Sequence, residues 1–299
     1  MATLVTGATG YLGGAFARAL SAAGEPVVAV GRSGDDALNA ERALPVPYVH
    51  ALSAGEILEV MREYGVTSAA HFATHYSPTH DVDDVDDIID ANVRFGTAVA
   101  EAAVGAGASM ITFGTYWQYA GGVPNATNSL YAATKRALDD VLDYYIETRG
   151  LRAQTLVLYD VYGEDDPRGK VLTLLVSAAL SGEEIKLSSG MQLINLTHVD
   201  DVVAAARHAN TTLNGESPRV ASVRAEEFQS IRELCLMVEA VLAKPVRARW
   251  GELADRPGSM LEPWLIDPVL PGWAPSVSLA AGIERLARAR GWRGSTDVA

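Results

Sequence analysis

The chain has 299 residues, of which 37 are acidic and 24 are basic, and its formal net charge at pH 7 is −13. This length allows one large α/β domain or two closely joined ones. The acidic balance argues against nucleic-acid partners, because neutralising phosphates requires clustered Lys and Arg residues. A phosphate-bearing substrate would therefore need local basic residues. The single cysteine, Cys235, cannot form an internal disulfide, and we interpret it as a buried structural thiol.

The N-terminal segment contains no targeting signal that we can identify. Met1 is followed directly by an apolar strand, without the basic region and apolar core of a signal peptide. No apolar run approaches the roughly 18 residues that a membrane-spanning helix needs. We therefore expect a cytoplasmic protein with no membrane partner.

Short β-rich segments alternate with helical segments over the first 160 residues. Such alternation predicts parallel strands joined by right-handed crossovers, and hence an α/β fold with a doubly wound parallel sheet. Beyond residue 160 the alternation becomes irregular, and Gly and Pro accumulate at residues 164–169 and 256–275. Such segments shape a binding cleft better than they build a sheet. The predicted strands are residues 3–6, 27–31, 48–52, 69–73, 110–113 and 154–159.

A glycine-rich turn follows the first predicted strand and leads into an Ala-rich helix. Gly7 permits a tight turn, Gly10 lets the backbone approach a pyrophosphate, and Gly13 lets the helix pack close to the sheet. We predict that this turn binds a dinucleotide; a structural turn without a ligand is the alternative. The predicted contacts here are Gly7, Thr9, Gly10, Tyr11, Leu12 and Gly13.

The end of the second strand bears on which dinucleotide is bound. An acidic residue there would bind a ribose 2′-hydroxyl, whereas Arg32 and Ser33 can hold a 2′-phosphate. We therefore predict NADP(H). Asp35 and Asp36 keep NAD(H) possible, because either could fold back to the ribose, and Arg32 could also be a solvated loop cation.

Tyr131 and Lys135 lie four residues apart in a predicted amphipathic helix, which places them on one face, one turn apart. A phenol with an ordinary pKa of about 10 exchanges protons poorly at neutral pH, and a neighbouring ammonium lowers that pKa. We predict that Tyr131 faces a reacting oxygen and that Lys135 also reaches the nicotinamide ribose. A structural Tyr and a surface Lys are the alternative.

Together these motifs resemble the extended short-chain dehydrogenase/reductase family, which contains sugar-nucleotide epimerases, dehydratases and reductases. The resemblance covers essentially the whole chain. It implies a Rossmann dinucleotide-binding domain at residues 1–160 and a smaller C-terminal α/β domain at 161–299, mainly substrate-binding, with some segments returning to the first domain. In the family a Ser or Thr after the fifth strand completes the catalytic set, and Thr115 occupies that place.

The resemblance implies further contacts around the cofactor. The segment after the fourth strand, which begins at His71, would pass under the cofactor, and Asn92 matches a family Asn that supports the site. The additional predicted cofactor contacts are Ala51, Leu52, Phe72, Ala73, Thr74 and Asn92.

The resemblance also implies a set of substrate contacts. Arg256 would contact the diphosphate of a nucleotide sugar, and Arg168 and Lys170 are second candidates, although each could equally be a surface cation. Thr115 would hydrogen-bond to the substrate oxygen. Tyr116 and Asp160 complete the predicted substrate contacts.

Several positions differ from the family pattern. Asp160 stands where many members have Asn, and Ala51 stands where an Asp is usual, which affects the adenine contact and not the fold. Sugar-nucleotide 4,6-dehydratases carry an acid and a base directly after the position of Thr115. This chain has Tyr116 and Trp117 there, so we do not expect a dehydratase.

A metal site is not expected. His75 and His80 precede an acidic run at residues 81–90, but their spacing fits no compact ligand set. Acidic residues at a helix start also interact favourably with the helix dipole, which explains the run without a metal.

The predicted function is NADPH-dependent reduction of a nucleotide-diphosphate-linked 4-keto-6-deoxyhexose. The segments at 114–119 and 159–163 resemble those of nucleotide-deoxysugar 4-ketoreductases. An NAD-dependent 4-epimerase is the alternative, and a catalytically idle dinucleotide sensor is a third. We also expect a homodimer. Val141, Leu142 and Ile146 could serve its interface or the core.

Overall fold

The computed structural model describes residues 2–32, 44–124, 126–213 and 216–294. The chain divides into two compact units. The first unit consists of Met1–Leu158, Val203–Ser222 and Ile266–Trp273, and the second of Tyr159–Val202, Val223–Leu265 and Ala274–Ala299. The assignment of dinucleotide binding to residues 1–160 and of substrate binding to 161–299 stays a prediction.

A seven-stranded sheet has the order β11-β6-β5-β4-β1-β2-β3. The pairs β1–β2, β1–β4, β2–β3, β4–β5 and β5–β6 are all parallel, so the predicted doubly wound parallel sheet is confirmed. All residues of β1, β5 and β6 are buried, as expected for central parallel strands covered on both faces. The strands are β1 (Ala2–Thr6), β2 (Val27–Gly31), β3 (Tyr48–His50), β4 (Val66–His71), β5 (Ser109–Thr115), β6 (Ala153–Leu158) and β11 (Val220–Val223).

Strand β4 differs from its predicted position, residues 69–73. It begins at Val66, because Val66 pairs with Ala2 of β1, and it ends at His71. The chain leaves the ladder there: the N–H of Phe72 donates to the carbonyl of Thr6, at the end of β1. Of the segment predicted to lie under a cofactor, His71 is therefore the last residue of the strand, and Phe72, Ala73 and Thr74 lie in the loop that follows.

Two of the described helices of the first unit begin at side-chain caps. Ser53 and Glu56 form a reciprocal capping box at α2, and the hydroxyl of Ser129 accepts from the N–H of Ala132 at α5. Among the described residues, no helix is both long and apolar enough to cross a membrane. Among the described residues of this unit, the helices are α1 (Tyr11–Ala22), α2 (Ala54–Glu63), α3 (Val85–Ile89), α4 (Phe95–Ala106) and α5 (Leu130–Arg149), with a π-helical turn at Asp90–Arg94 and 3₁₀ segments at Val82–Asp84 and Tyr116–Gly122.

Helix α5 packs one face into the core of the first unit. Leu138 and Leu142 are buried there, whereas Val141 and Ile146 are only partly buried at its edge. Leu142 has no exposed surface, so of the three apolar residues considered for an interface it serves the core.

The second unit contains three short strand pairs. Strands β7 (Asp160–Tyr162) and β10 (Leu196–His198) are parallel, β9 (Leu193–Ile194) and β12 (Gln229–Ser230) are antiparallel, and β8 (Glu184–Lys186) and β13 (Arg247–Arg249) are parallel. Buried side chains such as Tyr162, Leu234 and Leu286 form its core, which includes the buried thiol of Cys235. The remaining helices are α6 (Val171–Ser181), α7 (Val199–Thr212), α8 (Ile231–Leu242) and α9 (Leu279–Arg288).

The turn between β1 and α1 packs with almost no space between backbones. Gly7 has a φ of +68°, and a Cβ there would lie 2.6 Å from the backbone nitrogen of Ala73. A Cβ at Gly13 would overlap the carbonyl of Gly7. Both contacts are with backbone, so no side chain can move aside to admit a larger residue.

We predict that Gly13→Ala destabilises the protein and that Gly55→Ala does not. A Cβ at Gly55, in the first turn of α2, would have nothing within 4 Å. We expect Gly13→Ala to cost about 1–3 kcal/mol, the range for overpacking. Gly55→Ala should leave the stability unchanged or raise it by up to about 1 kcal/mol, because Ala favours helix over Gly. Chemical denaturation of both variants measures the difference; equal stabilities would contradict it.

Candidate active site

The loops after β1 and β4 lie side by side at the carboxyl edge of the sheet. The strand order reverses between these two strands, because the chain proceeds from β1 toward β3 on one side and from β4 toward β6 on the other. Ligands of doubly wound sheets bind at such a switch point. The contact between Gly7 and Ala73 joins the two loops.

The glycine-rich turn fits a dinucleotide diphosphate. Gly10 is the N-cap of α1, and its N–H donates to the carbonyl of Gly7 at 2.9 Å. The absence of side chains at these glycines leaves the amides of the first turn of α1 open to an anion. Thr9 is half-buried beside them, and Tyr11 and Leu12 are half-buried in the first turn of α1.

Strand β2 carries no acidic residue at its last position. Strand β2 ends at Gly31, where a Cβ would overlap the hydroxyl oxygen of Tyr48, and that hydroxyl donates to the carbonyl of Arg32 at 3.2 Å. Arg32 follows directly and is exposed. The predicted contact Ser33, like Asp35 and Asp36, lies outside the described residues.

The other predicted cofactor contacts lie beside these loops. Ala51 is buried after β3, where its N–H donates to the carbonyl of Gly31, and Leu52 follows it half-buried. The Phe72 ring stacks on Phe113 with centroids 3.9 Å apart. The N–H of Ala73 donates to the hydroxyl of Thr6 at 3.2 Å. These contacts hold the loop after β4 against β1.

Asn92 joins the loop after β4 to helix α5. Its Oδ1 accepts from the hydroxyl of Thr74 at 2.8 Å and from the N–H of His75 at 2.7 Å. Its Nδ2 donates to the carbonyl of His75 at 3.1 Å and to the hydroxyl of Thr134 at 3.0 Å. The Thr134 hydroxyl donates in turn to the carbonyl of Tyr131. Asn92 has no exposed surface. Through Thr134 it supports the first turn of α5, which carries Tyr131.

The three predicted catalytic residues occupy the end of β5 and the start of α5. Thr115 is the last residue of β5, and Tyr131 and Lys135 lie one turn apart on α5; their exposed fractions are 8%, 9% and 5%. The Thr115 hydroxyl accepts from the N–H of Trp117 at 3.3 Å, so its own proton can be donated elsewhere. The Tyr131 ring meets Trp117 edge to face, with centroids 6.3 Å apart, and Tyr76 at 5.1 Å.

Burial controls the charge of the basic groups behind Tyr131. It lowers the pKa of the Lys135 ammonium to about 8, and Asp139, one turn further along α5, acts in the opposite direction. Burial, and after it the charge of Lys135, lowers the pKa of the His71 imidazole to about 3, so this ring is neutral at pH 7. Lys135 therefore stays mostly protonated at neutral pH and can stabilise a phenolate.

Four of the predicted substrate contacts, Asp160, Arg168, Lys170 and Arg256, lie in the second unit. The guanidinium of Arg168 pairs with the buried carboxylate of Asp166 through two hydrogen bonds of 2.7 Å. The Lys170 ammonium lies 3.7 Å from the carboxylate of Asp160. Arg256 is exposed at a turn whose carbonyl accepts from Ser259.

Tyr116, the remaining predicted substrate contact, lies in the first unit. It is half-buried, and its ring meets that of Trp117 with centroids 6.2 Å apart.

The structure describes no metal cluster. Across residues 2–32, 44–124, 126–213 and 216–294, no group of three or more His, Cys, Asp or Glu side chains could hold a metal ion. The N–H and carbonyl of His75 bond to Asn92, and the acidic run that follows contains the 3₁₀ segment at 82–84 and helix α3.

Sequence reasoning missed a buried polar network beside Thr115. Gln118, Asp139, Thr155 and Arg219 are joined by hydrogen bonds behind the carboxyl end of β5. Two signals could have indicated it. Thr115 and Gln118 have the spacing of a capping box, and Asp139 lies four residues after Lys135 on the same helix face.

Residues 3–223 of the chain match the NAD dependent epimerase/dehydratase family. The chain belongs to this family. The match covers well over half of the sequence and includes the glycine-rich turn, the loop after β4 and the Thr115, Tyr131 and Lys135 positions. The predicted membership of the extended short-chain dehydrogenase/reductase family is thereby confirmed.

Individual relatives within the epimerase/dehydratase family differ in their reactions. A CDP-abequose synthase of Yersinia pseudotuberculosis is 30% identical over 43% of this chain and 46% of that enzyme, so the chain spans less than half of its length. A dTDP-4-dehydro-6-deoxy-D-allose reductase of Streptomyces bikiniensis is 36% identical over 33% of this chain and 31% of that enzyme. A UDP-glucose 4-epimerase of Mycolicibacterium smegmatis is 29% identical over 95% of this chain and 97% of that enzyme.

Solved structures of family members have the same fold over nearly the whole chain. The UDP-glucuronic acid 4-epimerase of Bacillus cereus, in complex with UDP-glucuronic acid and NAD, has a TM-score of 0.82 at 19% identity over 97% of this chain and 98% of that chain. The dTDP-glucose 4,6-dehydratase DesIV of Streptomyces venezuelae, with NAD bound, has a TM-score of 0.79 at 26% identity over 98% of each chain. The first of these similarities concerns the fold alone.

We predict that Asn92→Ala destabilises the first unit by about 1–3 kcal/mol, because it removes the hydrogen-bond partner of the buried Thr134 hydroxyl and of the half-buried backbone of His75, as well as that of the exposed Thr74 hydroxyl. The matched control is Asp90→Ala in the same π-helical turn. Asp90 pairs with Arg94 at the surface, with side chains 58% and 54% exposed, and such pairs contribute about 1 kcal/mol or less. Urea denaturation compares the two variants; a similar loss for both would contradict the role of Asn92.

Proposed function

We propose that this enzyme uses NADPH to reduce the keto group of a nucleotide-diphosphate-linked 4-keto-6-deoxyhexose. The proposal rests on two features found together, the catalytic residues of the family and the end of strand β2. The family's Thr115, Tyr131 and Lys135 are present, while β2 ends in Gly31 and is followed by Arg32 where an NAD-binding strand would end in an acid. A reductase consumes its cofactor in every turnover, which fits NADPH better than a permanently bound NAD.

The dinucleotide would be held by the glycine-rich turn, the loops after β3 and β4, and the end of β2. Arg32 is the residue that would contact a 2′-phosphate, and a guanidinium suits that anion through bidentate hydrogen bonds. NAD(H) stays an alternative. When bound, the cofactor supplies a hydride to the carbonyl carbon of the substrate.

Side chains of the protein itself would carry out the proton transfer. The phenol of Tyr131 donates its proton to the carbonyl oxygen as hydride arrives at the carbon. Lys135 is buried one turn away and mostly protonated, so it stabilises the phenolate that remains. The Thr115 hydroxyl would donate a hydrogen bond to the same substrate oxygen and keep its own proton.

Two observations support a keto-sugar substrate. A relative is named as the reductase of a dTDP-4-dehydro-6-deoxy sugar, and part of this chain is 36% identical to it. Tyr116 and Trp117 follow Thr115 where 4,6-dehydratases carry an acid and a base. The substrate diphosphate would contact Arg256, with Arg168 and Lys170 as second candidates, and Asp160 would contact the sugar. We further propose a cytoplasmic homodimer.

A 4-epimerase is the second candidate. It is favoured by the UDP-glucose 4-epimerase of Mycolicibacterium smegmatis, because that relative is 29% identical over almost the whole of both chains. An epimerase would use the same three residues but would keep NAD bound through an oxidation and a re-reduction.

We expect the purified protein to oxidise NADPH with at least one member of a panel of nucleotide-linked 4-keto sugars. Tyr131→Phe should lower kcat by about 10²–10⁴-fold, the range for general acid catalysis, while NADPH binding persists. Tyr144→Phe, an exposed tyrosine on the same helix, is the control and should be unaffected. Stoichiometric NAD(H) in the purified protein, with no NADPH oxidation, would favour the epimerase, and unchanged biological function of Tyr131→Phe would favour a sensor.

We expect Arg32→Ala to weaken the binding of NADPH by about 10-fold to 100-fold, because a hydrogen bond to a charged group contributes about 1.5–3 kcal/mol. NADH binding should change by less than about threefold, because NADH lacks the 2′-phosphate. Arg62→Ala removes an exposed cation from the end of α2 and is the control. Fluorescence titration with both cofactors measures the ratio. Equal losses for NADPH and NADH would refute the assignment of Arg32.

A further inference from the structure

Gln118 bridges the backbone of Thr115 and a buried carboxylate. Its Oε1 accepts from the N–H of Thr115 at 2.8 Å, and its Nε2 donates to Oδ2 of Asp139 at 2.8 Å. Gln118 is 1% exposed and Asp139 is 5% exposed. A Cβ at Gly114 would lie 2.7 Å from the same Oε1, so the glycine before Thr115 leaves the space in which this amide lies.

Asp139 accepts three further hydrogen bonds, from Thr155 and Arg219. Its Oδ1 accepts from the hydroxyl of Thr155 at 2.6 Å and from Nη2 of Arg219 at 3.4 Å, and Arg219 also donates to the carbonyl of Asp139 at 3.0 Å. Lys135 lies one turn earlier on α5, and the charge of Asp139 acts on its pKa. The carboxylate therefore touches the loop after β5, strand β6 and the segment before β11.

The amide of Gln118 satisfies both ends of this bridge at any pH. The N–H of Thr115 needs an acceptor, and the carboxylate of Asp139 needs a donor. A carboxylate at position 118 would instead place two negative charges within hydrogen-bond distance, and an apolar side chain would leave both partners unsatisfied in a buried place.

We propose that Gln118 and Asp139 are positioning residues that hold Thr115 and Lys135 in one fixed arrangement around Tyr131. The bridge fixes the backbone from which the Thr115 hydroxyl projects, and its other end is anchored one turn from Lys135. Neither side chain needs to touch the substrate. The inference rests on the proposed function only in assigning catalytic roles to Thr115, Tyr131 and Lys135.

The test exchanges the amide of Gln118 and the carboxylate of Asp139 between the two positions. Gln118→Glu should lose activity at pH 8, on the order of 10-fold to 100-fold in kcat, because a misplacement of about 1 Å has effects of this size. The double variant Gln118→Glu with Asp139→Asn should recover to within about threefold of wild type. In it the new carboxylate accepts from Thr115, and the new amide donates to that carboxylate while accepting from Thr155.

The pH dependence of the single variant provides a second readout. The new carboxyl of Glu at position 118 lies beside Asp139 in a buried place, and both conditions raise the pKa of that carboxyl. The positive charges of Arg219 and Lys135 lower it. The adjacent titratable side chain is Tyr119, whose own pKa is raised by burial. Below its pKa the carboxyl is protonated, donates to Asp139 and still accepts from Thr115. The ratio of wild-type to Gln118→Glu activity should therefore fall as the pH is lowered from 8 toward 5.5.

Two variants serve as controls. Gln118→Leu removes both hydrogen bonds, so its activity relative to wild type should be low at every pH. Asp140→Asn makes the same substitution at the neighbouring, exposed position of α5, where the side chain is 62% exposed, and should keep wild-type activity. In Gln118→Glu the dinucleotide Kd should change by less than about threefold, because the loss is expected in kcat.

Equal losses for Gln118→Glu and Gln118→Leu at all pH values, or no recovery in the double variant, would overturn the proposal. If wild type reduces no keto sugar, the proposed function fails separately, and the bridge is then tested by hydrogen exchange at the N–H of Thr115. Exchange relative to wild type at the same pH should rise on the order of 10-fold in Gln118→Leu and return in the double variant, since an opened amide loses its protection. Unchanged exchange in Gln118→Leu would overturn it as well.

Discussion

The close packing of the turn after β1 against the loop after β4 is the constraint on which the site depends. Gly7 lies against the backbone of Ala73, and α1 begins so close to the sheet that position 13 has no room for a side chain. This packing brings the amide-rich start of α1 beside the loop that Asn92 fastens to α5. The dinucleotide turn and the Tyr131 helix are thereby parts of one rigid arrangement, because each contact is made by backbone or by a fully bonded side chain.

The candidate site combines a buried cation with neutral polar groups. Lys135 keeps most of its charge at pH 7 because the cost of burial is partly offset by Asp139, while His71 is neutral at the same depth. An ammonium beside a phenol favours proton transfer from Tyr131, and the charge of Asp139 is itself held by Thr155 and Arg219. The electrostatics that would activate Tyr131 thus extend across β6 and the segment before β11, well beyond the three family residues.

Members of this family catalyse several reactions. The positions at which this chain differs from the family pattern favour some of these reactions over others. Trp117 and Tyr76 surround the ring of Tyr131 with aromatic surface, and Tyr116 and Trp117 stand where a dehydratase carries its acid and base. Arg32 directly follows Gly31, the last residue of β2, and no acidic residue lies at the end of that strand. These features favour a keto-sugar reductase that uses NADPH, whereas the similarity to a UDP-glucose 4-epimerase over 95% of the chain keeps the epimerase as the competing hypothesis.

The sequence by itself determined the α/β class, the parallel sheet, the glycine-rich turn and the family, because these depend on local patterns: buried runs, glycine spacing and a Tyr/Lys pair one turn apart. It placed β4 wrongly, since the ends of a strand depend on partners such as Ala2 and Thr6. Only the tertiary structure decided the environment of Thr115 and Lys135. Asp139 meets Thr155, Gln118 and Arg219 across 16, 21 and 80 residues, and contacts over such separations leave no periodic signal in a single chain.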